Sequence, residues 1–156
     1  KSPVTFASFA SYPEVGDDYI WPGVCGDNLD PAVAYISSDC TDWRNGGSQG
    51  ILLNIFDGEK MLFPSSANLS LDPSGTSGTQ RFPPSVAPAR HGGIFICWTT
   101  SAGAIKVQFV SSDGKPGVVS TVGAGTCGAI CVDDNGNIHL VYQNGSTKYR
   151  LLTVQY

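Results

Sequence analysis

The chain has 156 residues; 14% are charged, against roughly 25% in an average soluble protein, and 19 Gly and 10 Pro are spread through it. That length suffices for one domain, residues 1–156, with a core of its own. The formal charge of -4 gives no clustered Lys and Arg for nucleic acid or an anionic membrane, and no apolar run approaches the ~20 residues of a membrane-spanning helix.

From the N-terminus, Lys1-Ser2-Pro3-Val4 is not a signal peptide and reads as the start of an excised module or processed product. Residues 5–12 alternate large and small side chains, as a half-buried strand should, and stop at Pro13. Residues 13–31 carry Asp17-Asp18, Trp21-Pro22-Gly23 and Asp27-Asn28, which is loop chemistry. A short apolar segment, Pro31-Ala32-Val33-Ala34-Tyr35, then leads through a polar stretch into Gly50-Ile51-Leu52-Leu53-Asn54. Residues 71–84 form a long irregular stretch suited to a surface loop.

The second half reads more regularly. Ser85-Val86-Ala87-Pro88 precedes Gly93-Ile94-Phe95-Ile96-Cys97, and Ala129-Ile130-Cys131-Val132 precedes Asn137-Ile138-His139-Leu140-Val141. Asp57-Gly58, Asp113-Gly114, Asn135-Gly136 and Asn144-Gly145 signal tight hairpins, because such turns need positive φ. The closing residues 148–156 are rich in β-formers and predict a terminal strand. Ile94, Ile96 and Trp98 alternate along one strand, which places Trp98 in the core.

The apolar strands beginning at residues 50, 93 and 137 recur at an interval of about 43 residues. The expected class is therefore all-β, built from internal repeats of that length. An antiparallel β-barrel or sandwich is the most economical architecture. A β-trefoil fits the spacing, but the Gln-x-Trp of lectin-like trefoils is absent. β-propeller blades also fit, but since propellers have at least four blades, the chain would then oligomerise or be a fragment.

Five cysteines are an odd number, so at least one thiol is unpaired within the chain. Cys97 and Cys131 lie in apolar strand patterns as buried thiols, and Cys25 and Cys40 flank a loop that a disulfide could close. Neither catalysis nor metal binding finds a motif. His91 sits on a turn, and His139 alternates with Ile138 and Leu140, so it points away from their face. Adjacent carboxylates such as Asp133-Asp134 belong to turns, and the Asp133-Asp134-Asn135-Gly136-Asn137 run lacks the spacing and distal Glu of a calcium loop. The Ser111-Ser112-Asp113-Gly114-Lys115 turn resembles the Asp-box of sialidase-like propellers without its closing aromatic. The expectation is a protein that is not an enzyme and needs no metal or cofactor.

Recognition chemistry concentrates in residues 40–49, where Asp42, Trp43, Arg44, Asn45 and Gln49 place an aromatic, an acid, a base and amides within a few positions. Sugar faces stack on aromatic rings while Asp, Arg, Asn and Gln bond hydroxyls. The alternative for Trp43 is a lid on the core, with Arg44 paired to Asp42. Tyr19 and Trp21 form a second candidate group.

Phe82-Pro83-Pro84-Ser85-Val86-Ala87-Pro88 followed by Gly92-Gly93-Ile94-Phe95-Ile96-Cys97-Trp98 resembles the Pro-rich turn and following strand of calicivirus capsid protruding domains. Residues 129–154 resemble the closing strands of the same domain. The resemblance covers about 45 residues in all, across 82–98 and 129–154. It implies a spike module on the virion surface that dimerises and attaches to a host cell-surface receptor or glycan. A secreted lectin of trefoil or propeller type is the alternative, and a sialidase-like glycosidase fragment a third.

Overall fold

The computed structural model describes residues 17–42, 47–62, 69–72, 84–100 and 102–154. All regular structure in them is β, as expected. Eleven strands form three antiparallel sheets, each a simple up-and-down meander. The first sheet runs β1 (Asp17–Gly26), β2 (Ala34–Asp42), β3 (Gly47–Phe56), β4 (Leu69–Asp72). The second runs β5 (Ser85–Pro88), β6 (Ile94–Thr99), β7 (Ala104–Val110), β8 (Ser120–Ala124), and the third β9 (Thr126–Val132), β10 (Ile138–Asn144), β11 (Ser146–Leu152). Strand order in each sheet is sequential, so the pairing yields three open sheets and not one closed barrel.

The expected turns close the hairpins. Asp113-Gly114 lies between β7 and β8, Asn135-Gly136 between β9 and β10, and Gly145 alone turns β10 into β11. Each of these glycines has positive φ, at 81°, 84° and 69°, where a side chain would be strained. Asp57-Gly58 closes a smaller loop under an isolated bridge between Phe56 and Met61.

The sheets are stacked face to face, and β6 shows why. Its run Ile94-Phe95-Ile96-Cys97-Trp98 is buried throughout, the mark of a strand covered on both faces. Ile94, Ile96 and Trp98 pack with Tyr35, Ile51, Leu53, Ile55 and Leu71 of the first sheet. Phe95 and Cys97 point the other way and pack with Ile138 and Leu140 of the third. Trp98 is 2% exposed, in the core as expected. Gly128 on β9 lets the third sheet come close, since a Cβ there would stand 2.8 Å from Cys97 Sγ.

The first hairpin of every sheet has the same frame. Its strands meet at Gly26 and Ala34, at Pro88 and Ile94, and at Val132 and Ile138. In each, the residue after the first strand donates its N–H to the carbonyl just before the second: Asp27 to Val33 (3.1 Å), Ala89 to Gly93 (2.9 Å), Asp133 to Asn137 (3.0 Å).

Three expectations are corrected by these strands. The stretch read as loop over 13–31 contains the ten-residue β1. Its ladder with β2 is interrupted between Ile20 and Gly23, where Pro22 has no N–H to give, and resumes beyond it. The echo strand Gly50-Ile51-Leu52-Leu53-Asn54 belongs to β3, the third strand of its sheet, whereas the other two echoes open second strands. Their counterpart is β2, so the 43-residue interval does not link equivalent positions. Cys131 is exposed, not buried, because it lies on the uncovered face of the third sheet, and Cys25 is a free thiol. The strand expected over 5–12 and most of the irregular stretch 71–84 lie outside the described residues.

Candidate functional site

The backbone gathers part of the expected recognition group at one end of the first sheet. Asp42 closes β2 opposite Asp17 and Gly47, Tyr19 stands opposite Cys40, and Gln49 is the extra residue where the β2–β3 ladder shifts between Cys40 and Thr41. Trp21 falls in the interruption of β1. Trp43, Arg44 and Asn45 lie outside the described residues.

A different place offers a cavity. Between the second and third sheets, at their outer strands, lies a cleft of about 570 Å³. Its floor holds the rings of Phe95 and Phe109, centroids 5.5 Å apart and tilted by 55°. Its rim carries Ser120 and Thr121 from β8 and Arg150 from β11. Arg150 stands opposite Leu140 in the third sheet and donates from its guanidinium to the Val122 carbonyl, which anchors the side chain across the two sheets. A guanidinium has five N–H donors in a fixed fork, so this single bond leaves others for a ligand. Apolar rings below and donors above suit a ligand with one apolar face and several hydroxyls. Among the described residues of the lining, Arg150 is the ionisable one. Among the described residues no carboxylate, imidazole or thiol lines it.

The turn carboxylates act structurally. Asp27 accepts from the N–H of Leu29 (2.7 Å) and Asp30 (3.2 Å) with one oxygen, and from Tyr35 Oη (2.5 Å) and the Gly93 N–H (2.8 Å) with the other. Burial works against its charge, but these bonds outweigh it and hold the carboxyl below its usual range. Burial, together with the same bond to Asp27, pushes the Tyr35 phenol up. Because Gly93 immediately precedes β6 of the second sheet, Asp27 ties two sheets together, and Asn28 Nδ2 adds a bond to the Ala89 carbonyl at 3.1 Å. On the other side, Ser85 Oγ accepts the Ile130 N–H at 3.1 Å.

Asp133 is the counterpart in the third sheet. Asn137 Nδ2, the N–H groups of Asn135 and Asn137, and His139 Nε2 at 3.2 Å all engage it, and its pKa falls to about 2, chiefly through Asn137. His139 Nδ1 meets Tyr149 Oη at 2.9 Å. These bonds account for the acidic run as a turn. Among the described residues no group of three or more His, Cys, Asp or Glu is arranged to hold a metal. The Asp-box-like turn is likewise self-satisfied: Ser111 Oγ bonds Asp113 and the Lys115 N–H, and Lys115 pairs with Asp113.

No family model matches the chain, and no curated protein or solved structure is significantly similar to it.

The cleft residues escaped sequence reading because Phe95, Phe109, Ser120, Thr121 and Arg150 come from four strands of two sheets. One signal was present. In residues 148–152 the inward parity carries Leu152 and also the charges Lys148 and Arg150, where alternation calls for apolar residues.

Proposed function

We propose that the chain is a non-catalytic recognition module that binds a carbohydrate in the cleft between its second and third sheets. The observation that carries this reading is the pairing of the Phe95 and Phe109 rings with a rim of Ser120, Thr121 and Arg150. A pyranose has one face of C–H bonds and an equator of hydroxyls, which such a site complements. The described residues of the lining include no acid or base to protonate a leaving group or activate water, which supports binding without turnover. A host glycan is also among the ligands implied by the resemblance to calicivirus protruding domains, and the same chemistry serves a secreted lectin.

A glycan-array screen tests the reading, followed by titration calorimetry on the best hit. Arg150→Ala and Thr121→Ala should each weaken binding by about tenfold or more, as expected when a ligand hydrogen bond is lost. Binding that ignores both substitutions but disappears with Trp43→Ala would move the site to the end of the first sheet. Absence of any glycan ligand would overturn the proposal.

A further inference from the structure

The described lining of the cleft carries a positive charge and no negative one. That runs against the composition, which sets 13 Asp and Glu against 9 Lys and Arg. In the turns, opposite charges find each other: Lys115 pairs with Asp113, and His139 with Asp133. Arg150 has no such partner among the described residues; its bond is to the neutral carbonyl of Val122.

A second cation stands beside it. Lys148 and Arg150 are two positions apart on β11, opposite Tyr142 and Leu140 in an unbroken ladder, so both belong to the same face of the strand. Both are exposed, and among the described residues Lys148 also pairs with no carboxylate. Side chains so spaced start about 7 Å apart. Each charge raises the energy of the other, and an anion placed beside them relieves both.

Arg150 is set to take that anion in a defined orientation. Its bond to the Val122 carbonyl fixes the head group over β8. Gly123 leaves room for it there, since a Cβ at that position would be 3.8 Å from Arg150 Nη1 and equally far from Tyr142 Oη. The bond occupies Nη1 and leaves the Nη2 and Nε hydrogens, a planar fork that matches two oxygens of a carboxylate or a sulfate. A guanidinium already held loses less freedom when a ligand arrives. The apolar floor of Phe95 and Phe109 lowers the local dielectric and so strengthens the attraction, and the hydroxyls of Ser120 and Thr121 on the rim are further donors.

Building on the carbohydrate reading of the cleft, we infer that its ligand is an acidic saccharide. The anionic group, a carboxylate or a sulfate, takes the Arg150 fork while the sugar ring lies on Phe95 and Phe109. Lys148 draws the anion towards the cleft without fixing its orientation, as an ammonium on a flexible stem does.

An array that prints carboxylated and sulfated glycans each beside its neutral parent tests this on the whole chain. Titration calorimetry follows with two matched pairs: trigalacturonate against its methyl ester, and a sulfated galactose against galactose. The acidic member of at least one pair should bind about tenfold or more tightly than the neutral one, and the pair that responds tells carboxylate from sulfate. Raising NaCl from about 50 to about 500 mM should weaken the acidic ligand and leave the neutral one unchanged. Arg150→Gln, checked for folding by circular dichroism, should bring the two members of the pair to equal affinity, whereas Lys148→Gln should weaken the acidic ligand only by about two- to threefold. Neutral glycans bound as tightly as their acidic partners would overturn the inference while leaving the cleft a carbohydrate site. A preference for acidic ligands that survives in folded Arg150→Gln would overturn it too, and absence of binding to every glycan, acidic or neutral, would overturn both readings.

Discussion

At the seam between the first and second sheets, large side chains such as Tyr35, Leu53 and Trp98 meet in a fully buried cluster, and Asp27 and Asn28 reach across to lock the turns. At the seam between the second and third sheets, the inner strands are as close, with Gly128 against Cys97, but the outer strands part around the cleft. Both seams use the same alternation of β6. The difference lies in what meets it: four strands of the first sheet on one side, three of the third on the other. A sheet that covers its neighbour completely gives rigidity, and one that covers it in part leaves room for a ligand.

The comparison can be broken most severely at the sealed seam. Trp98→Ala should cost about 3–5 kcal/mol in urea unfolding, because a large buried ring leaves a cavity. Gly128→Val should cost less, roughly 1–3 kcal/mol, by forcing the third sheet off Cys97. If it leaves stability unchanged, the close approach at the second seam is not rigid. Asp27→Ala removes the partner of the Gly93 N–H and of Tyr35, and about 1–2 kcal/mol should go with it.

Acid should probe the two turn carboxylates together. Both Asp27 and Asp133 titrate below the ordinary value of 3.8 when folded, so their stabilisation is present above that pH. It is lost as pH falls through the folded values, for Asp133 towards about 2. Stability measured from pH 4 downwards should therefore decline, and Asp27→Asn should flatten part of that decline. The smallest effect is chemical. Exposed Cys131 should react with a maleimide in the native state, while burial pushes the Cys97 thiol up to about 12 and that of Cys25 up to about 11, which keeps both slow. Loss of the fast label in Cys131→Ser confirms the assignment.

Much of the second and third sheets was legible in the sequence. Their turns are chemically explicit in Asp113-Gly114, Asn135-Gly136 and Asn144-Gly145, and β6 and β10 carry strong apolar signals. The first sheet was harder. The ten residues of β1 include two adjacent acids and Pro22-Gly23, so nothing local favours a strand; its ladder with β2 supplies the pairing that local composition does not. The echo at Gly50 was a true strand counted in the wrong position, because an apolar run shows that a strand exists but not its rank in a sheet. The cleft could not be seen at all as a unit, since Phe95 and Arg150 are neighbours only after two sheets stack.

The double burial of β6 has a bearing on how the protein comes apart. A linear stack gains stability from each contact between neighbours, and an end member can leave by breaking only one. The middle member cannot leave without breaking both. Amide exchange in β6, paired to β5 and β7 and covered on either face, should thus report the opening of the whole molecule, while β11 exchanges through the smaller event of the third sheet fraying alone.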